Sequence, residues 1–289
     1  MKLGLSSYSL SKAIRGGEMT VLEAVDWVAE HGGEHIEIVP IGFDLEAEDG
    51  LADAIRDRAA AAGIDVSNYA IRADFVRESP EALEAEIDRV RRHVDIAARL
   101  GVKRMRHDVA WRADTSIGRF LDDLETLADA CRRVADYAAA YGIVTSVENH
   151  GYYVQASDRI QALLRAVDRP NFKTTLDVGN FVCVDEDAVA ATRNNIPFAS
   201  MVHLKDFYVR PADRDPGEGW FRSASGKYLR GAVFGQGDLD VRALMRVIRR
   251  SGYDGYVSVE FEGLEDCRFG SRAALENARR LWAEAGGET

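Results

Sequence analysis

Cysteine is scarce in this sequence. Its three residues, Cys131, Cys183 and Cys267, are odd in number, widely spaced and form no CxxC pair. That argues against a thiolate-built structural zinc site and a disulfide framework, and suits a reduced, cytoplasmic protein with buried or idle thiols. Long apolar runs are missing as well: nothing approaches the roughly 18 residues that a membrane helix needs. The opening MKLGLSSYSLSKAIRGG has too short an apolar stretch for a secretory signal and reads as a first strand. Positive charge is in deficit, with 37 Lys and Arg against 48 Asp and Glu, a net charge of −11. Nucleic-acid binding draws on the opposite balance. Glycine-rich phosphate loops of the GxGxxG or Walker type are absent, as are low-complexity segments and any linker that would cut the chain in two. The expectation is a soluble, cytoplasmic protein with no nucleic-acid and no membrane partner.

What is present is a strict alternation. Short runs rich in β-branched and aromatic residues occur at 2–6, 35–39, 65–71, 102–108, 143–149, 173–178, 199–205 and 256–262. Between them lie amphipathic helical patterns such as TVLEAVDWVAEHGG and RFLDDLETLADACRRVADYAAAYG, several stopping at glycine, as at Gly63, Gly101, Gly142 and Gly252. Alternating strands and helices imply parallel strands with helices outside, and eight such units are the number that closes a sheet on itself. The predicted fold class is therefore α/β, a single (β/α)8 TIM barrel spanning 1–289. An open doubly wound sheet, the other candidate, would carry the missing phosphate loop. One connection is long: residues 207–238, after the seventh strand, contain Trp220, Phe221 and Tyr228 beside Lys227 and Arg230. Structureless loops of that length tend to be lids or binding loops, so this one is expected to cover a polar ligand.

Side-chain phase then locates a site. Alternate strand residues face the outer helices and must be apolar. In YVSVEFE the outward set is Val257, Val259 and Phe261, which turns Glu260 and Glu262 inward. By the same test His203 and Lys205 face inward, as do Asp177, Glu148 and His150. Four successive strands thus deliver Glu148, Asp177, His203 and Glu260 to the C-terminal end of one barrel, where such barrels carry their chemistry. Three converging carboxylates cost several kcal/mol each in desolvation and repulsion unless a divalent cation or a Lys205–Arg106 salt network compensates them. Three oxygens and one imidazole favour Mn²⁺ or Mg²⁺, with Co²⁺ and Zn²⁺ also accommodated. Weaker candidates at the mouth are Glu37, inward between Ile36 and Ile38, and Arg106 or His107 of RMRHD, which has no clean apolar phase. Asn180 and Asp206 are expected to orient the ligands, and Trp220 to stack on a sugar ring.

The set SVENH, TLDVGN, VHLKD and SVEFEG resembles the xylose isomerase-like barrel superfamily, often labelled sugar phosphate isomerase/epimerase, across essentially the whole chain. The resemblance implies that Glu148, Asp177, His203 and Glu260 hold Mn²⁺ or a similar ion. It also implies that Glu148 and Glu260 exchange protons with a sugar or keto-sugar derivative. The expected function is a metal-dependent sugar isomerase or epimerase acting by proton abstraction beside a carbonyl, through an enediolate. Metal ligation lowers a carboxylate's basicity, which makes His150 or Lys205 alternative bases. The ENH triplet and the long loop depart from the epimerase pattern. A lyase is the alternative, of the inosose or dehydroshikimate dehydratase type or a catalytic subunit of a C-glycoside deglycosidase. A non-catalytic sugar-binding barrel is a second alternative. The related DNA-repair endonuclease needs a histidine-rich multi-zinc cluster, and this chain has only six His. Homo-oligomerisation and a second subunit are left open.

Overall fold

Five of the helices begin at a side-chain cap. Thr20 accepts the amide of Glu23 at 3.2 Å while the Glu23 carboxylate accepts the Thr20 amide at 2.7 Å, a reciprocal cap on α2 (Val21–Glu30). Ser79 caps α4 (Pro80–Arg99), with Pro80 in the first turn where its missing N–H costs nothing. Ser116, Asp187 and Asp240 do the same for α5 (Ile117–Ala139), α7 (Ala188–Asn195) and α8 (Val241–Arg250). The remaining helices are α1 (Ser11–Arg15), α3 (Leu51–Ala62), α6 (Ser157–Val167) and α9 (Cys267–Gly287).

The computed structural model describes residues 1–287 and shows a closed parallel barrel. Its strands are β1 (Lys2–Ser6), β2 (His35–Ile38), β3 (Asp65–Ile71), β4 (Arg104–His107), β5 (Val144–Glu148), β6 (Phe172–Asp177) and β7 (Ala199–Leu204). After β8 (Asp206–Arg210), β9 (Phe221–Arg222) and β10 (Tyr228–Ala232), the chain returns to the barrel as β11 (Tyr256–Val259). Strand β11 pairs with both β1 and β7, which closes the sheet in the order β1-β11-β7-β6-β5-β4-β3-β2. The outward faces bury Leu5, Ile36, Val147, Leu176, Val202, Leu204, Val257 and Val259 against the helices. Each such side chain contributes roughly 1.5–3 kcal/mol by leaving water. All three cysteines are buried and free, and among the described residues no helix is long and apolar enough to cross a membrane.

The long connection differs from expectation. Residues 206–232 form an antiparallel sheet in the order β8-β10-β9, with Phe207, Leu229 and Cys183 as its own small core. Alternation explains it: Leu229 and Phe207 face one way while Tyr208 and Arg230 pair on the other face. Asp206 anchors the sheet, its carboxylate accepting the amides of Phe207, Gly235, Gly237 and Leu239 at 2.8–3.4 Å.

Candidate metal centre and active site

Four adjacent strands, β5, β6, β7 and β11, carry the metal-capable side chains at their C-terminal ends. Glu148 closes β5 and Asp177 closes β6, where Asp177 is in register with His203 of β7. Glu260 follows β11, and its amide still reaches the Leu204 carbonyl at 3.1 Å, so the ladder places it too. One ligand atom from each of these four buried residues lies within 4.8 Å of all the others.

The surroundings leave lone pairs aimed at the centre. Asp177 spends Oδ1 on the amides of Gly179 and Asn180, at 2.8 and 2.9 Å, which frees Oδ2. The loop can hug β7 here because residue 179 is glycine: a Cβ would lie 2.6 Å from the Lys205 carbonyl oxygen. His203 gives Nε2 to Glu37 at 2.9–3.0 Å, and Asn68 holds Glu37 from behind at 2.6 Å. Its Nδ1 therefore points inward, 3.5 Å from Glu148 Oε1 and 3.7 Å from Glu260 Oε2. Asp177 Oδ2, His203 Nδ1 and Glu260 Oε2 are all buried without a hydrogen bond of ordinary geometry. Their polar neighbours include one another, Glu148 and the Lys205 ammonium, which stands 2.7 Å from Glu260 Oε2 and 3.3 Å from Asp177 Oδ2. Burial pushes the Asp177 carboxyl up to about 7, with Glu260 and Glu148 adding to the rise against the pull of Lys205. Three carboxylates around an inward imidazole nitrogen form a donor set that fits a divalent cation.

Acid and base groups line the same cavity, which measures about 530 Å³. Arg106 enters it, 2.5 Å from Glu148 Oε2 and 2.9 Å from Asp108 Oδ1. Burial would raise Glu148, but Arg106 and His203 outweigh it and hold the carboxylate well below its usual range. His150 stands half-exposed on the wall with Nδ1 3.5 Å from Asp108. Burial alone would lower it, yet Asp108 and Glu148 raise its affinity for a proton. Gly151 follows at φ +78°, a conformation natural to glycine, and the turn it makes presents His150 to the cavity. Lys205 is buried, but Asp177, Glu260 and Glu262 keep its ammonium charged far past neutrality.

The other sequence-derived candidates sort into three groups. Asn180 donates to Glu148 Oε1 and accepts from Lys205 Nζ, both at 3.3 Å, so it orients two site groups. Glu37 is fully buried behind His203, whose Nε2 it holds, and is not part of the cavity lining. His107, Asp206 and Trp220 lie away from the cavity. His107 faces the helix layer between Phe75 and Phe172, and burial lowers it to about 4, leaving it neutral. Asp206 serves its four amides, and Trp220 stacks on Arg210 and Arg230 at 5.5 and 5.2 Å. The expected cover over the ligand is likewise corrected, because the cavity is lined by segments outside 207–238. Besides Asn68, both Asn149 and Asp108 escaped the sequence reading. Asn149 exchanges two hydrogen bonds with the Asp177 backbone at 2.8 and 2.9 Å, and Asp108 joins Arg106 to His150. The only signal for them was their place beside site residues at strand ends.

Comparison with known proteins follows the same lines. The family model described as xylose isomerase-like TIM barrel matches residues 25–285. An inosose dehydratase of Lacticaseibacillus casei is 28% identical over 142 residues, 49% of this chain and 48% of that one. The chain thus spans about half the length of the curated relatives it matches. Among solved structures, a probable 3-DHS dehydratase of petrobactin synthesis from Bacillus anthracis superposes with a TM-score of 0.76 at 17% identity, over 96% of this chain and 99% of that one. An L-ribulose 3-epimerase gives 0.75 at 16% identity over 99% and 95%. The IolI protein with a bound zinc atom gives 0.76 at 16% identity over 99% and 98%. These likenesses establish the shared barrel, and the family match makes the assignment: the chain belongs to the xylose isomerase-like TIM barrel family.

Proposed function

We propose that the chain is a metal-dependent lyase that removes water from a polyhydroxylated cyclic ketone. The observation that carries this reading is the division of labour around the centre. An epimerase of the expected kind needs carboxylates free to exchange protons on both faces of the substrate. Here Glu148 is tied to Arg106 and held strongly acidic, so it makes a poor base. The groups suited to proton transfer are instead a histidine set on a carboxylate and a lysine that rests protonated, a base and an acid of different kinds.

His150, oriented by Asp108, takes the proton from the carbon beside the carbonyl. The electrons of that C–H bond form the new double bond as the C–O bond to the β hydroxyl breaks. Lys205 gives its proton to the departing oxygen, which leaves as water. Proton return from His150 to Lys205 through solvent resets the site. A cation held by Glu148, Asp177, His203 and Glu260 supplies Lewis-acid polarisation of the carbonyl, a role open to Mn²⁺, Mg²⁺, Co²⁺ or Zn²⁺. The dehydratase names among the relatives support the reading, and the neighbour with a bound zinc atom supports a metal in a barrel of this kind.

Proton NMR in D₂O tests it, with Mn²⁺-supplied protein, a panel of inososes, ketohexoses, ketohexose phosphates and dehydroshikimate, and metal stripped before acquisition. Deuterium at the carbon beside the carbonyl, with a vinylic product signal, is the expected result. Deuterated epimers without a vinylic signal would replace the lyase by the epimerase, and no exchange at all would overturn both.

A further inference from the structure

We infer that the substrate carries a pendant oxyanion, a carboxylate or phosphate, held across the mouth from the metal by Arg15 and Arg72. The inference deepens the proposed function and rests on reading this cavity as the active site. In a chain of net charge −11, the cavity is lined by five Lys or Arg and four Asp or Glu side chains. Three of the five cations are already engaged. Arg106 is paired with Asp108 and Glu148, and Lys205 with Asp177, Glu260 and Glu262. Arg89 is turned aside onto Glu86 at 2.8 Å. The Arg15 and Arg72 guanidiniums, in contrast, make no hydrogen bond or ion pair among the described residues, though both line the cavity.

Both side chains are exposed at the mouth, on anchored stretches of chain. The backbone that bears Arg72 is held on both sides. The Ile71 carbonyl accepts from Arg106 Nη1 and from the Asp108 amide, each at 3.2 Å, and the Arg72 carbonyl accepts from Arg89 Nη2 at 2.7 Å. Arg15 ends α1 with its stem against the Gly42 turn, where a Cβ would stand 3.1 Å from Arg15 Cγ. Strands β1 and β3, which lead to these two residues, flank β2 on the side of the ring facing the metal-bearing strands. In the inferred pose the ligand's carbonyl meets the centre and its far end lies at the part of the wall that Arg15 and Arg72 line. Guanidinium pairs bind planar or tetrahedral oxyanions in this way, and their field gathers anions into a cleft the rest of the surface repels.

Calorimetric binding to the full, Mn²⁺-supplied chain tests this with matched probes: shikimate against its methyl ester, and fructose 6-phosphate against fructose. The charged member of one pair should bind at least about ten-fold tighter, and which pair does so identifies the anion. Arg15→Ala with Arg72→Ala should shrink that preference to about three-fold or less while leaving the neutral probe unchanged, and Arg72→Lys should restore part of it. Equal affinities within both pairs, no binding of either charged probe, or a preference that survives the double variant would overturn the inference. Heat is read without turnover, so the two readings fail separately. Charge-selective binding without elimination would sink the lyase alone, and elimination with charge-blind binding would sink this subsite alone.

Discussion

The two halves of the barrel do different work at the same mouth. Strands β5, β6, β7 and β11 supply the four metal-capable side chains. Strands β1 to β4 and their loops supply much of what holds and neutralises the site groups, with Glu37 behind His203, Asn68 behind Glu37, Arg106 on Glu148 and Asp108 on His150, while Lys205 and Asn149 of the other half serve Asp177 and Glu260. The first half thus sets the orientation and charge of groups that belong to the second. A centre of this kind depends as much on the strands that lack ligands as on those that bear them.

Removing a ligand should have the largest effect. Asp177→Ala should lower kcat/KM for elimination roughly 10³-fold or more, equivalent to about 4 kcal/mol, with metal content falling in parallel by elemental analysis. Full metal occupancy in that variant would separate the cluster from the chemistry. Damage to the supporting half should read out as stability. Arg106→Met leaves the Glu148 and Asp108 carboxylates buried without their guanidinium, at a cost of about 3–5 kcal/mol in denaturant titrations of metal-free protein. Added Mn²⁺ should recover part of that loss, because it supplies the missing positive charge. If the variant melts like the parent, the first half is not compensating the second.

These two variants also mark what the sequence made legible. The ligands on β5 to β11 stood out because their strands alternate cleanly, with Val147, Leu176, Val202 and Val259 naming the outward face. Strand β4 offered no such guide: charged Arg106 turns inward and polar His107 outward, both are buried, and only their partners in three dimensions tell them apart. Glu37 was placed inward correctly by its isoleucine neighbours, but its partner His203 lies 166 residues away, so its role as a brace was invisible. The insert misled for a different reason. Its aromatics resemble a ligand platform in sequence, whereas in space they satisfy the arginines of their own sheet.

Smaller effects sharpen the contrast. Glu37→Gln keeps an acceptor or donor near His203 but removes the charge, and should weaken Mn²⁺ binding about 10–100-fold by titration, with folding retained. Within α4, Glu86 serves the supporting half by holding Arg89, whose guanidinium in turn pins the Arg72 carbonyl. Burial would raise Glu86, but Arg89, Arg77 and the Asp74 amide bring it down to about 2. A depressed carboxyl contributes stability above its unfolded value of 4.5 and loses it as pH falls toward 2. Wild-type protein should therefore lose about 1–2 kcal/mol more than Glu86→Gln across that window in acid-dependent melting. The smallest change is expected at Trp220→Ala, less than about two-fold in kcat/KM, in keeping with its place outside the cavity.

The Asp206 carboxylate adds a consequence in time. Because it collects the amides of Phe207, Gly235, Gly237 and Leu239, none of the four can exchange with solvent deuterium until that one anchor lets go. They should exchange together, in a single opening, well after the exposed turn at Gly217 and Gly219. Strand β8 starts at Asp206, two residues beyond the end of β7. The clock of that opening therefore measures how long the strand that bears His203 stays clamped at its outer end.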